Sequence, residues 1–280
     1  MATNEILTAR SKSHIWSGVG ALSIKTFVNG QAAYAVGDRR YVVDEHHYLV
    51  LNHGQAYTVT VDSPTPLESF CLFFAPGFAE EVAYSRATEA AALLDNPVQS
   101  IQTPLHFFEK TYRHDPLLSP SLRYLRTCYP VRQAERGWLQ EQFHLIMQRL
   151  LWVHEATYRE TASLPALRAA TREELYRRLH IVRDYIAAAY SQPITLETLA
   201  RVACLSPNHL LRTFKQLFHQ TPHQYLTEQR LTQAKKLLCT TDQSVTDICY
   251  AVGFESLGSF SWLFRRHVGC APEQYRRAKR

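Results

Sequence analysis

Two stretches in the last third of this 280-residue chain carry side chains suited to binding a polyanion. In one predicted helix, Asn208, Arg212 and Lys215 lie on the side away from the apolar face, and a second predicted helix leaves Arg265 and Arg266 in a similar position. Amide and guanidinium groups match the hydrogen-bonding pattern of base edges, and clustered Arg and Lys suit phosphates. These residue types in this pattern indicate contact with nucleic acid.

A helix-turn-helix arrangement would position these side chains. A tight break at Cys204 is followed by Ser206, which is typical of a helix N-cap, and Ser256 follows a second break at Gly253. Two helices joined by a short turn can place the second helix in the major groove of DNA. A helical domain of duplicated hairpins is the alternative. We predict two helix-turn-helix units, at about residues 194–219 and 244–269.

Several residues in and just after the two units recur at a constant offset of fifty positions, and residues 267–277 resemble residues 217–227. Phe264 repeats Phe214 in this way, and Tyr275 repeats Tyr225. Between the units, a predicted helix from about residue 223 to 239 would be about 25 Å long. Such a spacer could hold two recognition helices about one DNA turn, roughly 34 Å, apart.

Charge is distributed unevenly along the chain. Residues 1–165 hold 14 Lys and Arg against 16 Asp and Glu, whereas residues 166–280 hold 17 against 9. The positive excess therefore belongs to the C-terminal part, as expected if only that part meets a polyanion. No apolar run reaches the roughly 18–20 residues of a membrane span, and the N-terminus does not read as a secretion signal. We expect a soluble, cytoplasmic protein with no membrane partner.

The segment from about Arg172 to Arg280 resembles the double helix-turn-helix domain of AraC-type (arabinose-regulator family) bacterial transcription factors. The resemblance is carried by "RLTQAKKLL", by "ICYAVGFES" with a following "FRR", and by the terminal pattern G-x-x-P-x-x-Y-R. It implies a transcriptional regulator, more often an activator, that binds double-stranded promoter DNA. For an activator it also implies RNA polymerase as a partner.

The resemblance implies a role for individual residues of both recognition helices. Base contacts would come from Asn208, Leu211 and Arg212 in the first helix and from Leu257, Gly258, Ser259, Ser261 and Trp262 in the second. Phosphate contacts are predicted for Lys215, Arg265, Arg266 and Arg276. Because the second face is poor in hydrogen-bonding groups, we expect the first helix to discriminate sequences. The family often has Gly at two turns where Cys204 and His219 stand in this chain.

The N-terminal half reads as short Tyr- and Val-rich strands separated by turn signals, including one at residues 62–66. This pattern predicts an antiparallel barrel or sandwich. In its strand-then-helix order, residues 1–160 resemble the effector domain of the same family, a cupin-like barrel followed by helices. The predicted fold class is α+β with two domains: this barrel, a linker at 161–171 around Pro165, and an all-α DNA-binding domain at 172–280.

A barrel of about eight strands can hold one small ligand. The predicted effector is an unidentified small molecule, and its pocket would be lined by Trp16, Tyr34, Tyr48, His53 and Tyr57. Packing of these aromatic side chains as plain core is the alternative.

A metal-dependent enzyme is not favoured by the histidine spacing. His46 and His47 are adjacent on a predicted strand and must face opposite sides, and no His-x-His precedes a carboxylate. The six cysteines form no CxxC pair, which argues against a zinc site or a disulfide framework. We predict no metal, no cofactor and no catalytic residue. Alternatives are an effector-independent architectural DNA-binding protein and a cupin enzyme fused to a DNA-binding domain.

A long helix between the barrel and the linker carries one continuous apolar stripe. Such a stripe can pack within its own domain or meet a second copy in a homodimer. The stripe consists of Leu139, Phe143, Ile146, Leu150 and Val153.

Overall fold

A computed structural model describes residues 3–87, 104–164 and 168–279. The chain forms two compact units, residues 1–173 and 174–280. Pro165, at the centre of the predicted linker, lies outside the described residues. Within the described part of the chain, no helix has both the length and the apolar character needed to cross a membrane.

The first unit contains seven strands and three helices among the described residues. The strands are β1 (Glu5–Val19), β2 (Ser23–Val28), β3 (Ala32–Val36), β4 (Arg39–Val43), β5 (His47–Leu51), β6 (Ala56–Phe73) and β7 (Thr111–Arg113). The helices are α1 (Phe78–Ala87), α2 (Ser119–Arg132) and α3 (Arg136–Thr161).

All strand pairs in this unit are antiparallel, and the strands form a nearly closed barrel in the order β4-β3-β6-β2-β5-β7. The long strand β6 joins the two halves, because its N-terminal part pairs with β3 and its C-terminal part pairs with β2. Strand β1 runs along the other side of β6 from Glu5 to Val19. The predicted barrel with trailing helices is confirmed.

The turn predicted at residues 62–66 does not form, because β6 continues through it. The register of β1 against β6 instead shifts here, from Ser11 opposite Leu67 to Ser13 opposite Asp62. A bulge of this kind accommodates Pro64 and Pro66, which have no N–H to donate to the ladder. The turn residues therefore interrupt pairing with β1 without ending the strand.

Side chains alternate between the two faces of each barrel strand, since a strand has a period of two. On β5, Leu49 and Leu51 join the apolar cluster inside the barrel, whereas Tyr48 and Val50 join a second cluster on its outer face. The second cluster includes the buried sides of α1, α2 and α3. The barrel thus has an aromatic interior and an outer face covered by helices.

The apolar stripe of α3 packs within its own chain. Phe143, Ile146, Leu150 and Val153 are buried in the cluster on the outer face of the barrel, and Leu139 is half-buried against it. Burial in their own core leaves four of these side chains little surface for a second copy, whereas Leu139 stays partly exposed. The role of this helix in a dimer stays a prediction.

The described residues of the second unit form helices joined by turns. The helices are α4 (Ala169–Ala189), α5 (Leu196–Ala203), α6 (Pro207–Phe218), α7 (Pro222–Thr240), α8 (Val245–Ala251), α9 (Leu257–Val268) and α10 (Pro272–Lys279). Helices α5 and α6 form the first predicted helix-turn-helix unit, and α8 and α9 form the second. Helix α7 connects them.

Candidate functional site

The first recognition helix, α6, begins and packs as its sequence dictates. The Ser206 hydroxyl accepts a hydrogen bond from the backbone N–H of His209, and Pro207 stands in the first turn. Leu210 and Phe214 are fully buried on its inner side. A cap at its N-terminus and two buried anchors therefore decide which face of α6 points outward.

The outer face of α6 carries the residues predicted to read bases. Asn208, Leu211, Arg212 and Lys215 are all exposed. In the part of the chain that the structure describes, Asn208, Arg212 and Lys215 make no side-chain hydrogen bond or ion pair. Their donors and acceptors are free to contact DNA.

Both helices of the first helix-turn-helix unit end on residues that have a left-handed backbone conformation and are not glycine. Cys204 follows α5 with a φ of 50°, and His219 follows α6 with a φ of 57°. A side chain in this region costs about 1–2 kcal/mol, which glycine avoids. Both turns therefore carry a backbone cost that a glycine would avoid.

The second helix-turn-helix unit has the same two-helix structure, and the backbone of its turn lies close to that of a neighbouring segment. Ser256 caps α9 by accepting a hydrogen bond from the backbone N–H of Ser259 at 3.2 Å. Gly253 has a φ of +91°, and a Cβ atom added there would lie 2.8 Å from the carbonyl oxygen of Ser191. Only glycine fits this turn, because both the backbone conformation and the space exclude a side chain.

The outer face of α9 is more apolar than that of α6. Leu257, Gly258, Ser259 and Trp262 are exposed, and Ser261 is half-buried. The Trp262 indole is 60% exposed, with the Arg266 guanidinium 5.1 Å from its ring centroid. Arg265 is also exposed. Helix α9 therefore presents a large aromatic surface beside two cations.

Arg276 is less available than the other predicted phosphate contacts. It is half-buried, and its Nη2 donates a 2.5 Å hydrogen bond to the backbone carbonyl of Gln243, next to the α8 cap Ser244. The structure therefore gives Arg276 a role in stabilising the start of the second helix-turn-helix unit.

The residues that follow each recognition helix pack in the same way. The rings of Phe214 and Tyr225 are 6.1 Å apart, and those of Phe264 and Tyr275 are 5.6 Å apart. Tyr275 thus packs back on its unit as Tyr225 does. The residues that recur at an offset of fifty positions therefore make the same contact in both places.

The barrel contains a cavity of about 600 Å³ lined mainly by residues of β1, β2, β3 and β6. Trp16, Tyr34 and Tyr57 line it, as expected, and their rings are in contact: Trp16 and Tyr57 lie 4.9 Å apart, and Tyr34 and Tyr57 lie 5.7 Å apart. The cavity is therefore an aromatic pocket of the size that holds a small molecule.

Tyr48 and His53 are not among the residues that line this cavity. Tyr48 points to the opposite face of β5, where it stacks on Tyr112 and donates a 3.0 Å hydrogen bond to Asp115. His53 is exposed in the turn after β5. Strand alternation explains the first displacement, and the end of the strand explains the second.

Lys25 also lines the cavity, although the sequence analysis did not assign it to the pocket. It is 2% exposed on β2, and its Nζ donates a 3.1 Å hydrogen bond to the Tyr57 hydroxyl. Burial lowers the pKa of Lys25 to about 8, and burial raises the pKa of Tyr57 to about 12. The available signal was one charge in the otherwise uncharged strand "SIKTFV".

The histidines of the first unit do not form a metal centre in the described part of the chain. His46 is exposed, and the Nδ1 of His47 lies 2.7 Å from Asp44 Oδ1. No group of three or more potential ligands occurs among the described residues. All six cysteines are unpaired thiols, of which Cys71 lines the cavity.

The C-terminal segment has relatives among known proteins. Residues 199–278 match a family model described as a helix-turn-helix domain. The HTH-type transcriptional activator RhaS of Enterobacter sp. (strain 638) is 38% identical over 102 residues, which cover 36% of this chain and 37% of that protein. The melibiose operon regulatory protein of Escherichia coli (strain K12) is 34% identical over 93 residues, or 33% of this chain and 31% of that protein.

A solved structure of the DNA-binding domain of AdpA in complex with a target DNA is 35% identical to this chain. The matched region covers 36% of this chain and 91% of the AdpA chain, with a TM-score of 0.35. The chain spans about a third of the length of the curated relatives it matches.

Proposed function

We propose that the chain belongs to the AraC-type family through its C-terminal domain and that it is a sequence-specific DNA-binding transcriptional regulator. The observation that carries this proposal is the repeated helix-turn-helix unit, with unpaired amide and cationic side chains exposed on α6 and cations beside an exposed Trp262 on α9. The relatives that match this segment are themselves named as transcriptional regulators.

The two recognition helices would share the work unequally. Helix α6 presents Asn208 and Arg212, which suit bidentate contact with base edges, and we assign sequence discrimination to it. Helix α9 would add phosphate contacts through Arg265 and Arg266 and shape readout through Trp262. Helix α7, with 19 residues, is about 28 Å long and would hold the two units on neighbouring turns of the groove.

Binding of the full-length protein to a set of promoter fragments tests this division. Genome-wide footprinting would first identify the bound sequences. Arg212→Ala should then reduce discrimination between bound and scrambled sites by about 1–3 kcal/mol. Arg266→Ala should weaken all sequences equally and make the slope of log affinity against log salt shallower by about 1.

Arg10→Ala is the matched control, because Arg10 is an exposed arginine on β1 in the first unit and its loss removes the same charge. It should change neither specificity nor the salt slope. Retention of full sequence discrimination by Arg212→Ala would contradict the assignment of base reading to α6.

We also propose that a small molecule in the barrel cavity controls DNA binding or activation. The support is a cavity of about 600 Å³ lined by Trp16, Tyr34 and Tyr57. An effector-independent architectural protein is the second candidate, and a ligand that both binds the barrel and alters DNA affinity would exclude it. Measurement of DNA affinity with and without ligand decides between them.

The remaining parts of the proposal follow from the family. We propose that the protein acts in the bacterial cytoplasm as a homodimer and, as an activator, contacts RNA polymerase. Since most of the α3 stripe is buried in its own chain, a dimer would need other surfaces as well. Sedimentation of the full chain tests the oligomeric state, and transcription in vitro tests activation. We propose no catalytic activity for the barrel.

A further inference from the structure

We propose that the barrel cavity takes a carboxylate ligand with an apolar body, and that Lys25 and Tyr57 bind its carboxylate. This inference rests on the proposed control by a small molecule and names the chemical class of that molecule. Three properties of the cavity carry it: the unbalanced charge of Lys25, the hydrogen-bonding capacity left at the Lys25–Tyr57 pair, and the apolar walls.

The charge of Lys25 is not balanced by any acidic side chain in the described part of the chain. None of the described residues that line the cavity is Asp or Glu, and Lys25 has no ion pair among the residues that the structure describes. Its Nζ instead lies over the Phe73 ring at 3.7 Å from the centroid and near the Tyr57 ring at 5.2 Å. A buried cation in such surroundings favours an anionic partner.

The ammonium has more donors than its surroundings use. An ammonium group offers three N–H donors, and the Tyr57 hydroxyl accepts one of them at 3.1 Å. The Tyr57 hydroxyl, whose pKa burial raises to about 12, is protonated at neutral pH and can donate its own hydrogen. Lys25 and Tyr57 together therefore present N–H and O–H donors to one acceptor group, which suits the two oxygens of a carboxylate.

The walls of the cavity suit an apolar ligand body. Beyond Lys25 and Tyr57, the lining includes Phe27, Val59 and Leu67 among its buried residues. The volume of about 600 Å³ falls in the range of pockets that enclose small organic molecules. A single lysine with no second buried cation in the lining offers one positive charge, which matches a monocarboxylate better than a phosphate ester.

Calorimetric titration of the full-length protein at neutral pH tests the ligand class with matched pairs of probes. Octanoate is compared with octanol, and naphthoate with naphthamide, so that each pair differs mainly in charge. We expect each carboxylate to bind at least about 10-fold more tightly than its uncharged match, because a charge-assisted hydrogen bond is worth about that factor.

Two variants locate the charge recognition. Lys25→Met should reduce carboxylate affinity about 10-fold or more and change the affinity for the uncharged probes by less than about 3-fold. Binding of the uncharged probes also shows that the barrel of the variant is folded. Tyr57→Phe retains the ring and removes the hydroxyl, and should reduce carboxylate affinity about 5-fold. Lys110→Met is the matched control: Lys110 is also buried, but it faces Glu160 at 3.7 Å and does not line the cavity.

The proposal is overturned by equal affinity for the charged and uncharged probes, by an unchanged carboxylate preference in Lys25→Met, by an equal loss in Lys110→Met, or by binding of none of the four probes. DNA affinity, measured in parallel, keeps the two proposals separate. Carboxylate binding without an effect on DNA would refute the proposed control and support the ligand class. A DNA response confined to the uncharged probes would do the reverse.

Discussion

Replacement of Lys25 by methionine should make the protein more stable at neutral pH. Lys25 is buried in the barrel, and burial lowers its pKa from the ordinary 10.5 to about 8. The folded protein therefore disfavours the charged form of a side chain that is fully charged when the chain is unfolded. Methionine has a similar length and no charge, so the substitution removes this penalty without opening a large cavity.

The size of the effect follows from the pKa change. A pKa lowered from 10.5 to about 8 corresponds to about 3 kcal/mol of unfavourable free energy in the folded state at pH 7. Loss of the hydrogen bond from Nζ to the Tyr57 hydroxyl offsets about 1 kcal/mol. The net gain in the free energy of unfolding is about 2 kcal/mol, which for a unit of 173 residues raises its Tm by roughly 4–8 °C.

Urea unfolding followed by tryptophan fluorescence measures this difference, since Trp16, Trp138 and Trp152 lie in the first unit. The pH dependence provides an internal check. Between pH 8 and 10.5 the unfolded chain binds more protons at Lys25 than the folded chain, so the stability of the wild type rises with pH in this window. The advantage of Lys25→Met should therefore shrink from pH 8 upward, reach zero at about pH 9.5, and give way to a deficit of about 1 kcal/mol above pH 10.5.

A Lys25→Met variant that is less stable than the wild type by 1 kcal/mol or more at pH 7 would refute this reasoning. It would mean that the contacts of the ammonium with Tyr57 and Phe73 outweigh its desolvation. A stability difference that does not change between pH 8 and 10.5 would also contradict it, because the titration of Lys25 would then be the same in both states.

Two further predictions concern the turns of the helix-turn-helix units. Gly253→Ala should destabilise the second unit by more than about 2 kcal/mol, because the added Cβ meets the Ser191 carbonyl; Gly269→Ala, with a similar φ and nothing within 4 Å, should cost only about 1 kcal/mol. Thermal unfolding followed by circular dichroism compares the two, and equal costs would contradict the steric argument. Cys204→Gly should stabilise the first unit by about 0.5–1 kcal/mol in the same assay, whereas Ala203→Gly, one residue earlier within α5, should destabilise it. A loss of stability in Cys204→Gly would show that the left-handed turn is not strained.

Local sequence signals were sufficient for the helical domain. The caps Ser206 and Ser256 are contacts within three residues of the chain, and the anchors Phe214 and Phe264 are buried where the helical spacing predicts them. A helix presents every third or fourth residue to the same side, so its outward face can be read from the inward one.

Long-range pairing decided what local patterns could not. The apolar stripe of α3 suits either packing within the chain or a partner, and only the structure shows that most of it is buried in the cluster that includes α1 and α2. The proline-containing segment 62–66 predicts a turn, but in the structure it is an interruption in the pairing of β6 with β1. In both cases the local pattern allowed more than one structure, and the neighbouring element in space determined which one forms.

The sequence by itself predicts a basic helical domain with two recognition helices, the side chains that these helices expose, and an N-terminal barrel. Only the tertiary structure shows that Lys25, Tyr57 and Trp16 meet in one cavity and that Tyr48 points away from it. The physical reason is that strand register fixes which side chains enter a barrel, and register depends on pairs such as Ser17 with Thr58, which are far apart in the chain.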